Sequence, residues 1–380
     1  MQFFKKPCQH LAKVSAAVLA GWLLFSPTTA LVADDDAFAL NDLMGDDRPF
    51  DIGGWTQFGY HDKSNGVFNT HPHRVNLHQQ WLWIERVADG SDGMDFGFRI
   101  DGLYGVDAQN TQAFGNPPGT YDFMNGFDHG IYGWALPQLY GEVAYGDLSV
   151  KAGHFFTPLG YEVVAATGNF FYSHAFTHNF NEPFTHTGLL GTYQASDNVT
   201  LYGGWTAGWD TGFERFNDGD NSDGSNLIGG FSVGVTDNVT ATYLTTVGDL
   251  GFIGEGYTHS IVVDAGLTDD LQYILSTDLV EVNGAPNSGV NHRFGWANYL
   301  FYTVNDMLKA GVRAEWFKSG GHSLYEVTTG VNITPRSNLI IRPEVRWQWG
   351  ENDADEAFFN NTFGIPTGDT IFGIDAILTY

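Results

Sequence analysis

The sequence predicts an all-β fold: a transmembrane antiparallel up-and-down β-barrel of about sixteen strands, with long extracellular loops and short periplasmic turns. Three observations predict it. Apolar and polar residues alternate in short runs from about residue 52 to the last residue. The connections between those runs alternate in length. An export signal opens the chain, yet no later apolar stretch is long enough for a spanning helix, so the mature chain could cross a membrane only as strands.

The first element is the signal. Lys5, Lys6 and Lys13 give a positive front end, and "VSAAVLAGWLLF" (14–25) is an apolar core too short to span a bilayer comfortably. Thr28 and Ala30 have the small-residue spacing of a cleavage site, so residues 1–30 are expected to be removed, with cleavage after Ala33 the alternative. A retained membrane anchor is the competing reading. Cys8, the only cysteine, precedes the apolar core and would leave with it. A mature chain without thiols is no disulfide-stapled domain.

Three of the 17 Lys and Arg residues and none of the 44 acids lie in residues 1–30, so the mature chain would carry 14 bases against 44 acids, a net charge of −30. So acidic a surface disfavours nucleic acid. Residues 31–50 are acidic and aperiodic and read as a flexible lead-in. Residues 51–380 read as the barrel.

Alternation defines the strands, because successive side chains of an extended strand point to opposite faces. In "MDFGFRIDGLYG" (94–105), Met94, Phe96, Phe98 and Ile100 oppose Asp95, Arg99 and Asp101. "NVTLYGGWTAGW" (198–209) puts Val199, Leu201, Trp205 and Trp209 on one face. "MLKAGVRAEWF" (307–317) sets Leu308, Val312 and Trp316 against Lys309, Arg313 and Glu315. "NLIIRPEVRWQW" (338–349) sets Leu339, Ile341, Val345 and Trp347 against Arg342, Glu344 and Arg346. Pro343 removes a ladder donor there, so it marks a bulge or a break. Further strands are read near 52–60, 74–86, 136–145, 148–157, 186–195, 226–235, 238–248, 257–267, 271–282, 293–304, 324–334 and 370–380.

"GD" (146–147), "SDN" (196–198), "TDN" (236–238), "TDD" (268–270), "ND" (305–306) and "PRSN" (335–338) are tight turns. Long connections at 105–135, 158–185, 210–225, 283–292 and 350–369 lie between them. A membrane barrel sorts its loops by rim in this way, and an even strand count leaves both termini on the short-turn side.

A soluble sandwich shares the alternation, so the aromatic residues help decide which face is wet. Trp205, Trp209, Trp316, Trp347 and Trp349 lie toward strand ends on or near the apolar face, where indoles suit the headgroup level of a bilayer. Tyr380 ends a final alternating strand. The core of a sandwich is the alternative place for these rings. Arg99 facing lipid near mid-bilayer would cost roughly 2–4 kcal/mol. The charged face is therefore expected to line an aqueous lumen.

Several segments resemble the putative beta-barrel porin-2 family in order along the chain: "MDFGFRIDGLYG", "VKAGHFFTPLGYE" (150–162), "NEPFTHTGLLGTY" (181–193), "RAEWFKSGG" (313–321) and "IRPEVRWQW" (341–349). The resemblance spans residues 50–380. It implies a bacterial outer-membrane barrel with pore activity, delivered by the barrel-insertion machinery, for which a terminal aromatic such as Tyr380 is a signal. It fixes no solute, and a homotrimer remains open.

The connection from Pro158 to Thr185 is rich in Phe, Tyr and His, which a water-exposed loop rarely is. Porin resemblance implies that this third long loop folds into the lumen and narrows it. Glu162 and Glu182 would then face wall charges, drawn from Arg99, Lys151, Lys309, Arg313, Arg342 and Arg346, and set a transverse field. The plainer alternative is that these bases keep the lumen wet or pair with Glu315 and Glu344.

His174, His178 and His186, and likewise His71, His73 and His78, lack the carboxylate spacing of a hydrolytic metal site. "NDGDNSDG" (217–224) fails as an EF-hand, since position twelve is Gly229. No GxSxG, phosphate loop or HExxH occurs. The sequence thus predicts no metal, no cofactor and no enzyme, but a passive channel for small hydrophilic solutes, with a mild cation preference that the lumen bases could reverse locally. A closed barrel acting as adhesin or scaffold, and a soluble secreted carbohydrate-binding β protein, are the alternatives.

Overall fold

The computed structural model describes residues 37–45, 48–215, 224–283 and 291–380. The expected signal segment (1–30), Asp46 and Asp47, most of the calcium-like stretch (217–223) and residues 284–290 lie outside them. Sixteen strands follow in chain order: β1 (Asp51–His61), β2 (Val75–Arg86), β3 (Asp95–Gly105), β4 (Gly133–Tyr145), β5 (Leu148–Phe156), β6 (Thr185–Ser196), β7 (Val199–Thr206), β8 (Ser225–Thr236), β9 (Val239–Asp249), β10 (Glu255–Gly266), β11 (Leu271–Asn283), β12 (His292–Asn305), β13 (Leu308–Ser319), β14 (His322–Arg336), β15 (Leu339–Gly350) and β16 (Asp369–Thr379). Each pairs antiparallel with its chain neighbours, and β1 pairs with β16, so the sheet closes without an edge. Just before β1, Asn41 fastens the lead-in: its amide donates to Asp51 at 3.1 Å and its oxygen accepts from the Ile52 N–H at 2.8 Å.

The loops sort by rim, with exceptions. One rim carries the turns 146–147, 197–198, 237–238, 267–270, 306–307 and 337–338, and a longer one at 87–94. The other carries L1 (62–74), L2 (106–132), L3 (157–184), L4 (207–224), L5 (250–254), L6 (284–291), L7 (320–321) and L8 (351–368). L7 is a Gly320–Gly321 hairpin with both glycines at positive φ.

The apolar flank of β3 faces outward, with Phe96 60% and Ile100 41% exposed, while Asp101 on the opposite flank is fully buried. The same polarity holds around the ring: Leu82, Leu189, Leu227, Val247, Leu300 and Phe372 stand exposed outside. No second sheet covers them among the described residues. A band of this size is far larger than a water-soluble monomer carries, which overturns the alternative of a soluble sandwich. No described helix is long and apolar enough to cross a membrane. Strands of this length are enough to do so.

Aromatic residues mark the two rims differently. Trp134, Trp296, Trp316, Trp347 and Trp349 are exposed on the outer face at the long-loop rim. Tyr145, Tyr193 and Tyr302 are exposed at the short-turn rim. Trp205 is partly exposed and donates to Ser225 Oγ at 2.9 Å. Tyr380 pairs through its backbone with Gly54, and its hydroxyl lies 3.3 Å from Thr56 Oγ1. Trp209 does not join the outer band. β7 ends at Thr206, and the chain turns inward beyond it. The Trp209 indole is buried against Leu250, Ile253 and Val282 and donates to Thr246 Oγ1 at 3.2 Å.

Three prolines sit inside strands, Pro335 in the last residues of β14 and two deeper in the sheet. Pro343 neither breaks β15 nor shifts its register. It faces outward, and beside it the ladder to β14 lapses between the pairs Gly330–Glu344 and Ile333–Ile341 with the register kept; the register shifts only farther on, between Ile333 and Arg336. Pro137 coincides with a bulge: β3 advances two residues from Asp101 to Leu103 while β4 advances three, from Ala135 to Gln138.

Candidate pore constriction

L3 leaves the end of β5, crosses the barrel interior and returns to β6. Its aromatic residues explain why. Tyr161 and Phe171 pack with Tyr299 and Phe301 of β12, and Phe176 packs with Phe317 of β13. Tyr172 reaches the far side, where its hydroxyl lies 2.6 Å from His78 Nε2 of β2. At Gly59 a side chain would collide with the Tyr172 ring, and at Gly373 it would press tightly on it, so bare backbone makes its berth.

The wall holds this loop by its main chain. Glu315 accepts from the N–H groups of Phe176 and Thr177 at 2.7 and 2.5 Å, at the start of the short helix Phe176–Asn181. Glu344 accepts from the N–H groups of Tyr172 and Ser173 at 2.9 and 3.1 Å. The arginines take the carbonyls. Arg313 donates to Ser173 O at 2.7 Å, Arg342 to Ala166 O and Asn169 O at 2.9 and 2.6 Å, and Arg346 to His174 O at 2.8 Å. On β2, Gln79 does both, donating to Val164 O and accepting from Ala166 N. A loop in a lumen must satisfy its backbone groups, and wall charges do so here.

These charges are also paired among themselves. Arg313 lies 2.7 Å from Glu162 of L3 and 2.5 Å from Glu326 of β14, and Arg342 lies 2.5 Å from Asp375 of β16. Arg346 lies 3.7 Å from Glu326, with its guanidinium over the Phe176 ring. The three guanidiniums are at most 2% exposed. Burial raises the Glu162 carboxyl, but the Arg313 guanidinium and His174 outweigh it and hold it well below the usual carboxylate range.

The ten expected constriction residues therefore divide. Arg313, Glu315, Arg342, Glu344, Arg346 and Glu162 come together as the clasp on L3. Glu162 does face a wall base. Glu182 does not: it faces the acid Asp278 on β11 and is bonded to His178 at 3.1 Å. The pairing expected of Glu315 and Glu344 with wall arginines also differs, because both bind loop amides while Glu326 and Asp375 take the arginines. Arg99, Lys151 and Lys309 lie apart from the clasp, in the short-turn half. Arg99 is bound to Glu85 and Asp101 at 2.8 and 2.7 Å. Lys151 stands over the Tyr140 ring beside Glu142, its cross-strand partner. Lys309 stands over Phe301. These three, with Glu85, Glu142 and Asp264, are only partly buried, and they face the lumen below the loop.

The sequence reading missed Glu326, Asp375, Gln79 and Asp278. Each is a polar residue at an inward position of a strand already read correctly, so alternation alone would have found them. The histidines do not converge on one point. His174 and His178 stack at 5.0 Å, His186 bonds Thr157 instead, and His78 bonds Asp107 at 2.8 Å. Burial pushes His178 down to about 4, so it is neutral near pH 7.

A closed sixteen-strand barrel with an apolar exterior, a charged interior and an inward third loop is the architecture of outer-membrane porins. The chain belongs to the putative beta-barrel porin-2, OmpL-like family, whose model matches residues 49–380. Among solved structures, the anion-selective porin from Comamonas acidovorans is similar at 10% identity and a TM-score of 0.58, covering 87% of this chain and 99% of that one. The outer membrane channel DcaP of Acinetobacter baumannii is similar at 13% identity and a TM-score of 0.55, covering 87% and 97%. A loop L8 deletion mutant of OmpT, an outer membrane protein of Vibrio cholerae, is similar at 13% identity and a TM-score of 0.56, covering 87% and 99%. At these identities the likeness is one of fold. No curated protein matches the chain. The chain is an outer-membrane porin, a diffusion channel.

Proposed function

We propose that this porin passes small hydrophilic solutes through the aperture left beside L3, in the outer membrane of a bacterium, with a mild preference for cations. The observation that carries the reading is the seating of L3: it crosses the lumen on fixed wall charges and narrows the bore. Below it, partly exposed bases and acids alternate, so solutes meet a charged but nearly balanced vestibule. The cation preference rests on the acidic excess of the whole chain, −27. The Trp rim then faces outward from the cell and the Tyr rim the periplasm, both at headgroup depth.

Purified barrel in liposomes tests this by swelling in small sugars. Swelling, together with a planar-bilayer reversal potential of the cation-selective sign, is expected. A clear anion preference refutes the selectivity. A second reading, a closed barrel serving as scaffold or adhesin, draws support from the complete burial of the arginines that clasp L3. Folded barrel that admits no sugar would favour it.

A further inference from the structure

On the inner face of the wall, Asp278 of β11 lies directly opposite Ser260 of β10 in the register, with Thr258 and Ser276 at the adjoining inward positions. Asp278 is 1% exposed; no donor meets either carboxylate oxygen in good hydrogen-bond geometry, although Ser260 and the Glu182 carboxyl lie beside it. The hydroxyls of Thr258 and Ser276 are buried and unpartnered too. L3 closes over this floor with Glu182, whose carboxyl faces that of Asp278. The berth for Glu182 is made by Gly160, at φ +80, where any side chain would occupy the carboxylate's place. The Gly160 N–H donates to Ser260 Oγ at 3.0 Å, joining the two halves.

Two buried carboxylates thus meet with no base between them. Arg293, on the next inward row of β12, leaves Nε and Nη2 unbonded and makes no ion pair with either among the described residues. His178, on L3 itself, lies 3.1 Å from Glu182 and makes no ion pair with Asp278 among the described residues. Opposed, dehydrated anions repel strongly unless a proton or a cation lies between them.

We propose that Glu182, Asp278 and the surrounding hydroxyls form a binding site for one divalent cation of calcium's size, which bolts L3 to β10 and β11. The donors are all hard oxygens, the chemistry calcium prefers, and two carboxylates balance its charge. Calcium takes roughly six to eight oxygens in flexible geometry, which a mixed set of carboxylates, hydroxyls and lumen water can meet, whereas magnesium demands a stricter octahedron. The site goes beyond the channel reading and does not depend on conduction.

The test uses folded, full-length barrel in detergent, treated with chelator and titrated with CaCl2 in a calorimeter, its folding checked by heat-modified gel migration. One saturable calcium per chain is expected. Asp278→Asn and, separately, Glu182→Gln should each weaken it by about tenfold or more, because ligand charge sets affinity. Asp353→Asn, in the exposed acidic L8, should leave it unchanged. Absence of saturable binding to folded wild-type barrel overturns the proposal and leaves a shared proton between the two carboxyls. Binding that survives in both folded site variants also overturns it, and assigns the calcium to surface acids.

Discussion

Arg313 Nη1 lies 2.7 Å from Glu162 Oε1, an ion pair that joins the wall strand β13 to the loop crossing the lumen, with both side chains shut away from solvent. Glu326 holds the other edge of the same guanidinium. Arg313→Ala would leave the buried Glu162 without its arginine and Glu326 with only the more distant Arg346, and would free the Ser173 carbonyl. Breaking such a pair from one side costs about 3–5 kcal/mol. The expected outcome is a lower unfolding temperature in heat-modifiability gels and larger, noisier single-channel currents as L3 loosens. Arg313→Lys should recover only part of this, since an ammonium cannot reproduce the forked contacts.

Gly295 of β12 is the flat spot on which Thr177 rests, and a side chain there would collide with it. Gly295→Val is expected to displace the short helix without removing any charge. Conductance should change while the ion selectivity keeps its sign. Unaltered conductance in a folded variant would mean that the helix does not bound the aperture.

Lys151 lies below the clasp, partly exposed, among Tyr140 and Glu142. Replacing it with Glu reverses one charge in the vestibule while leaving L3 seated. The reversal potential should move toward greater cation selectivity, and more so at low salt, where screening is weak. The same change at Arg342, which is clamped to Asp375, should instead destabilise the barrel.

Asp210 of L4 adopts positive φ and accepts the backbone N–H groups of Phe184 and Thr185 at 2.8 and 2.9 Å. Burial nonetheless pushes its carboxyl up to about 7. Because the folded value lies above the unfolded one, the stabilisation is complete below about pH 4 and fades as pH rises through 7. Amide exchange at Phe184 and Thr185, corrected for intrinsic rate, should be slower at pH 5 than at pH 8, by up to about a hundredfold. Asp210→Asn should remove that dependence.

Alternation made the barrel legible, because a strand wet on one flank and lipid-facing on the other must repeat every two residues. All sixteen strands lie where the runs of the sequence place them, within about three residues at their ends. Trp209 shows the limit. Its spacing continues the outward row of β7, but the strand stops at Thr206, and only the packing of L4 decides where the indole goes. The lumen was half legible. Arg313, Arg342 and Arg346 could be placed facing inward, yet their partners Glu326 and Asp375 sit on other strands, and pairing depends on stagger between strands. Glu182 was the clearest departure. Its neighbour Asp278 is fixed by the path of L3, which no local pattern encodes.

The wall grips L3 mostly by peptide groups, through Glu315, Glu344, Arg342 and Arg346, and peptide groups are common to every residue. Much of the strap's side-chain chemistry can therefore drift while its fastening stays intact. A lineage carrying this frame could retune what its channel admits by rewriting the strap's free edge, with no need to rebuild the wall.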